Sequence, residues 1–299
     1  MKRQLFLAIS LVFALIAFPS TNTSTVYAQS KTKEPLNLEW VKKDVEGVAV
    51  FLKWLPIEKQ NIEVLKTQLT KDWAIDDDVL GFGANRVRLQ KGYGYSSVYL
   101  DVLTFKNKVA YYEIGVTGSL SDWTRYREQI INAWKQNGGP EFTERDAELT
   151  YRKKYDSVFE SYYRVVANTL GEIKPVSVPA DLKDAYEYLT SPLNNSYIGE
   201  GICGLNGPIL EGKTSIDALI NANRIDLIEN VLRGYNPGGR IFAAIALLRM
   251  KRQGLKLKPE VKTTLNKVVN LDVPASTCAG CIVSSGRTAK DIVAQFLKR

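Results

Sequence analysis

Apolar and polar positions along the chain follow three successive patterns, each predicting a different kind of segment. The first is a continuous run. Leu5 to Phe18 is fourteen residues without a charge, with Lys2 and Arg3 before it and Pro19 after it. A membrane-spanning helix needs about 20 apolar residues. A shorter run ahead of the small residues of Val26-Tyr27-Ala28 therefore predicts a signal peptide over residues 1–28 and a mature chain beginning near Gln29. The protein is then exported, to the periplasm or the extracellular space.

The second pattern, over residues 29–178, mixes helical and strand periods. Ile62, Leu65, Leu69 and Trp73 recur at helical spacing within Asn61 to Trp73. Asp76-Asp77-Asp78 and the glycine-rich stretch Gly81 to Ser97 predict turns around a short strand, Arg86 to Leu89. Ser97 to Phe105 and Val109 to Val116 flank Lys106-Asn107-Lys108 and predict a hairpin. In its first strand Val98, Leu100 and Val102 share a face opposite Tyr99, Asp101 and Leu103, as a half-covered sheet requires. A helix capped by Ser121 carries Trp123, Tyr126, Ile130 and Trp134 and stops at Gly138-Gly139. Thr143 to Asp146 matches a capping box and predicts a long helix to Leu170, with Tyr155, Phe159, Tyr162 and Val166 along one face. This predicts an α+β N-terminal domain, a small antiparallel sheet with helices packed on it.

The third pattern begins after a proline-rich linker, residues 179–199, which holds Pro179, Pro192 and the turn-forming Asn194-Asn195-Ser196. Residues 200–299 predict an all-α domain of helical hairpins. Thr214 with Asp217 caps a helix through Asn223. Ile225 to Leu232 follows, ended by Gly234 in the left-handed conformation. Then come Arg240 to Gln253, a helix opened by Pro259, and a last one capped by Thr288 and ending at Leu297. Gly212-Lys213-Thr214-Ser215-Ile216, followed by Ile225-Asp226-Leu227-Ile228 and Val231-Leu232, resembles one ankyrin-type helical hairpin. Arg240 to Leu248 is similar to the second helix of a HEAT-type pair. The likeness covers residues 212–252 and implies hairpins stacked side by side, with a binding surface for a protein partner.

Composition changes this picture chiefly through an absence. The 299 residues include no histidine. That excludes Ser/His/Asp and Cys/His nucleophile systems, His-ligated metals and the CxxCH attachment of haem. No metal and no cofactor is expected. The net charge of +8 is unevenly spread: residues 29–199 carry −1 and residues 200–299 carry +7. Much of the excess lies in Arg249, Lys251, Arg252, Lys256, Lys258 and Lys262, opposed only by Glu260. Outside a cell such a segment suits an anionic envelope polymer or lipid surface.

Three cysteines fall late in the chain. In an oxidising compartment Cys203, Cys278 and Cys281 permit three pairings, and the sequence does not choose among them. A structural bridge is the plain expectation. A thiol-disulfide redox protein using Cys278-Ala279-Gly280-Cys281 is the alternative. Gly207 to Thr214 formally matches GxxxxGK[ST]. However, Pro208 removes an N–H that a phosphate would need, and no strand run precedes the match, so no nucleotide is expected. Gly81-Phe82-Gly83 and Gly92-Tyr93-Gly94-Tyr95 read as turns with aromatic residues among glycines. The overall expectation is an exported binding or structural module of the cell envelope without an identifiable catalytic site. A secreted hydrolase would have to use carboxylates, with Asp76, Asp77, Asp78, Asp101 and Glu113 as candidates.

Overall fold

A computed structural model describes residues 35–69, 73–194, 197–199, 201–203, 209–280 and 282–298. The signal-peptide expectation over 1–28, Cys281, and Gly207 and Pro208 of the phosphate-loop lookalike lie outside them. The chain enters through a helix that sequence patterning does not anticipate, α1 (Leu38–Leu52), capped by the Asn37 side chain. α2 (Ile62–Leu69) starts at Asn61, whose side-chain oxygen accepts from the Glu63 and Val64 amides. Four consecutive strands follow: β1 (Ala74–Gly81), β2 (Ala84–Gly92), β3 (Ser96–Phe105) and β4 (Lys108–Gly118). Then come α3 (Trp123–Gln136), β5 (Thr143–Arg145), β6 (Glu148–Lys154) and α4 (Asp156–Leu170). The six strands make one antiparallel sheet in the order β1-β2-β3-β4-β6-β5.

The β3–β4 hairpin is as expected, with Lys106 and Asn107 both left-handed (φ 48° and 62°) in the two-residue turn. Other expectations change. Asp76 to Asp78 lie within β1 rather than in a turn, because their backbone pairs with Arg88 to Arg86. The capping-box reading of Thr143 to Asp146 gives way to a tight hairpin with Asp146 left-handed (φ 54°). Glu148 to Lys154 pairs along the free edge of β4, so sheet pairing overrides the local helix signal and the helix starts only at Asp156.

The C-terminal part is α5 (Lys183–Thr190), α6 (Glu211–Asn221), α7 (Ile225–Val231), α8 (Pro237–Arg252), α9 (Pro259–Val269), β7 (Pro274–Ala279), β8 (Ile282–Thr288) and α10 (Ala289–Leu297). It is therefore not all-helical as expected: Pro274 to Thr288, rich in Ser, Thr and β-branched residues, forms a two-stranded hairpin. The stretch expected as a linker contains α5. Gly234 does not adopt the left-handed conformation, whereas Asn223, just after α6, does (φ 52°). The helix over 211–221 begins at Glu211, so Thr214 is not its cap; its hydroxyl donates to the Glu211 carbonyl at 2.9 Å.

Val87, Leu89, Val98, Leu100, Val102, Ile114 and Val116 give the sheet one buried apolar face. α1 packs against β3, with α3 beside α1. At one end of the sheet Leu80, Leu103 and Phe105 join Phe159 and Tyr162 of α4 in a core that continues through Phe242 and Ile245 of α8 to Phe296 of α10. Residues from Asn37 onward form one compact unit.

A single carboxylate joins α1 to the sheet. Buried Asp44 accepts from the Gly94 and Ser96 amides (2.8 and 3.1 Å), the Tyr95 amide (3.0 Å) and the Ser96 hydroxyl (2.8 Å). It thereby closes the β2–β3 turn. Asp44→Ala leaves three backbone N–H groups unpaired, that of buried Ser96 among them, and should lower unfolding stability by about 2–4 kcal/mol in urea titrations. A loss below about 0.5 kcal/mol, the level of an ordinary surface substitution, would contradict this role.

Candidate functional site

The second face of the sheet is charged. Strand registry lines up Asp76, Arg88, Asp101, Glu113 and Arg152 in one row across five strands. Asp101 and Glu113 are like charges directly opposite each other, an arrangement that destabilises a sheet unless each is neutralised. Each is. Arg86 donates to Asp101 through Nε at 2.8 Å and through Nη2 at 2.5 Å, a bidentate pair, and both residues are about 7% exposed. Arg88 approaches the same carboxylate at 3.3 Å. Arg152 Nε donates to Glu113 at 2.6 Å, and the Tyr111 hydroxyl donates to the same oxygen at 2.6 Å.

Tyr99 completes the network. Its hydroxyl lies 2.8 Å from Glu113 Oε1 and 2.6 Å from Glu148 Oε1, so its single proton is shared between two carboxylates. The ring reaches this position because its cross-strand partner is Gly115; a Cβ there would come within 2.6 Å of the tyrosine ring and hydroxyl. Burial, and then the neighbouring Glu148 and Glu113, push the Tyr99 hydroxyl far above the usual tyrosine range. Burial and Glu113 do the same for Tyr111. Both remain donors. Burial draws the Arg86 guanidinium down, but Asp101 outweighs it and the group is held above its ordinary value.

Glu187, Ser191, Leu193 and Asn194, from α5 and the turn after it, form the opposite wall of a cleft of about 660 Å³. A second hollow of about 620 Å³ shares Arg88, Leu193 and Asn194 and reaches Cys203. The site is thus an elongated trough with a charged floor.

Four of the five candidate carboxylates lie on this face. Asp101 and Glu113 sit in the cleft. Asp76 accepts from the Tyr197 hydroxyl at 3.0 Å near the edge of the sheet. Asp78 lies beside its cross-strand partner Arg86. Asp77 points the other way, to Lys66 of α2. Arg86, Arg88, Tyr99, Tyr111, Glu148 and Arg152 were not identified as site residues from sequence. The polar alternation of Arg86, Arg88 and Gln90 against Val87 and Leu89 is the signal that could have found them.

The remaining candidates lie elsewhere. Cys203 and Cys278 form a disulfide across a Cα–Cα distance of 5.6 Å, and Cys278 is buried. Ile198 lies alongside β7, its amide donating to the Ser276 carbonyl and its carbonyl accepting from the Cys278 amide. Arg249 and Arg252 donate to the Phe296 and Leu297 carbonyls at the end of α10 (2.8 and 2.5 Å), as cations do at a helix C-terminus. Lys251, Lys256, Lys258 and Lys262 are exposed on the end of α8, the following loop and the first turn of α9. In the phosphate-loop lookalike, Gly212 lies against the Phe242 ring and Lys213 pairs with Asp217. Phe82 lies beneath Arg240, Tyr93 packs on Gly47 and Tyr95 stacks on Tyr126, so the glycine-rich aromatics serve packing. Among the described residues, no three Cys, Asp or Glu side chains gather as a metal-holding group.

No protein-family model, curated protein or solved structure matches this chain.

Asp78 supplies a pH signature for the face. Burial, then the Asp76 carboxylate, raise its pKa to about 6 against the opposing pull of Arg86 and Arg88. A raised carboxyl favours the folded state when protonated, so its contribution is complete below about pH 4 and is lost as pH rises through about 6. Discounted for partial exposure, the loss is about 1–2 kcal/mol between pH 4 and pH 7. Asp78→Asn should remove that part of the stability–pH curve; parallel curves for the two proteins would contradict the assignment.

Proposed function

We propose that this chain is an exported binding module of the cell envelope whose ligand site is the charged trough, and that the ligand is a short peptide with free ends. One observation carries the reading. The charged groups at the centre of the sheet wall, Arg86, Asp101, Glu113 and Arg152, are already held by neighbours, so the wall presents both signs in fixed positions. A preorganised wall of this kind suits recognition, because little side-chain freedom remains to be lost when a ligand arrives. Arg88 and Arg152 attract a carboxylate, while Glu148 and Glu187 attract an ammonium group. The same carboxylates repel a purely anionic polymer. The length of the trough, from Arg152 past Arg88 towards Cys203, favours an extended ligand over a single amino acid. The export reading rests on Leu5 to Phe18, and the Cys203–Cys278 bridge is the kind of bond an oxidising compartment preserves.

A second reading rests on Glu113 and Glu148. Both contact the Tyr99 hydroxyl, so their nearest oxygens are no farther apart than the two contacts laid end to end. Retaining glycosidases hold their paired carboxyls about 5–5.5 Å apart. A carboxylate-dependent hydrolase of glycosides is therefore the alternative.

Thermal unfolding with trialanine separates the two. Millimolar trialanine should raise the midpoint by several degrees, since ligand at a hundredfold excess over Kd adds about 2.7 kcal/mol. Trialanine blocked at both ends should not, and Arg88→Gln should remove most of the shift. Equal shifts from free and blocked peptide, or no shift at all, would contradict the peptide site. Hydrolysis of aryl glycosides by the wild type, lost in Glu148→Gln, would establish the alternative.

A further inference from the structure

Outside the trough, α6, α8 and α10 border a pocket of about 150 Å³. Its walls are apolar, formed by Ile216 and Ile220 of α6, Phe242 and Ile245 of α8, and Phe296 of α10. α6 approaches α8 closely here because Gly212 faces the Phe242 ring, where a Cβ would come within 2.7 Å of it. Sites for drug-sized ligands run to about 300–1,000 Å³, so this one admits only a small apolar group, such as a short alkyl tail.

The lip is charged, and its sign is biased. Among the described residues, Lys213 and Arg249 border the opening against a single carboxylate, Asp217, which is ion-paired to Lys213. Arg249 is anchored by its bond to the Phe296 carbonyl, so its guanidinium is fixed at the mouth. Arg252, held at the Leu297 carbonyl, lies in the same last turn of α8 and adds to the positive field. A cationic lip over an apolar slot complements an amphiphile with an anionic head and one alkyl tail. A cationic head would meet Arg249 and Lys213, and a polar molecule without a tail would leave the slot unfilled.

We infer that this pocket is a second ligand site, specific for a single-chain fatty acid whose tail enters between α6 and α8 and whose carboxylate meets Arg249 and Lys213. The site also gives one member of the basic segment, Arg249, a role besides that of closing α10.

Calorimetric titration of the full chain with sub-micellar octanoate, whose tail matches the pocket's size, tests the inference. The wild type should bind one equivalent. Ile220→Trp, which fills the slot from its partly exposed side, should weaken binding at least tenfold without lowering the thermal midpoint. Arg249→Gln should weaken it about tenfold, the worth of one hydrogen bond to a charged group; Lys213→Gln, which does not touch α10, provides the same test where Arg249→Gln fails to fold. Octyltrimethylammonium, with a tail of the same length and opposite charge, should not compete. Undiminished binding by Ile220→Trp, or competition by the cationic amphiphile, would overturn the site. So would association with anionic vesicles in the absence of any octanoate binding, which would assign the basic surface to membranes instead.

Discussion

The buried Arg86–Asp101 pair is the constraint around which this molecule is arranged. One face of the sheet is apolar and covered by α1 and α3 in the ordinary way. The other carries a line of charges that no apolar layer could cover without large desolvation costs. A buried guanidinium and carboxylate are tolerated here because the contact is bidentate and Arg88 supplies a further donor. Removing either partner alone would leave a buried charge, at a cost of about 3–5 kcal/mol. The face is accordingly graded: Leu80, Leu103 and Phe105 enter the common core, while Asp101, Glu113 and Arg152 face the trough.

Such a trough requires the second wall to be fixed relative to the strands, and several contacts do this. Arg240 of α8, fully buried, donates to the Leu80 carbonyl at 2.8 Å and lies over the Phe82 ring at 5.1 Å. Burial draws its guanidinium below the ordinary range, with Tyr162 opposing. The Tyr162 hydroxyl donates to the Tyr235 carbonyl, and the Tyr235 amide donates to the Thr190 carbonyl at the end of α5. Tyr197 reaches Asp76 on β1, and the Cys203–Cys278 disulfide holds the segment after α5 against β7. Together these fix α5, and with it Glu187 and Asn194, relative to the sheet. The second wall of the trough is thus positioned by the same residues that join the strands to the helices.

How much of this was legible in the chain follows from the range of the interactions involved. The β3–β4 hairpin was readable because its turn residues and its alternation are local. The same holds for α3, with its stop at Gly138, and for α9 and α10, with Pro259 and Thr288 at their starts. The strand over 148–154 was not readable. Its local sequence matches a helix start, and only the unpaired edge of β4, distant in sequence, makes it a strand. α1 was missed because its capping signal, Asn37, sits beside an otherwise ambiguous mix of charges and valines. Asp101 and Glu113 could be placed on a sheet by alternation. Their partners could not, since pairing with Arg86, Arg152 and Tyr99 depends on the register of four strands and on a glycine at 115. The disulfide partner was undetermined for the same reason: proximity across 75 residues is a property of the fold.

A double-mutant cycle on Arg86→Met and Asp101→Leu, followed by denaturant unfolding, probes the pair at the centre of this arrangement. Each single variant should lose about 3–5 kcal/mol, and the double variant should lose less than the two combined by at least about 2 kcal/mol. Losses that add within about 0.5 kcal/mol would mean the two residues act independently, and the charged face would then have to be held by something other than this ion pair.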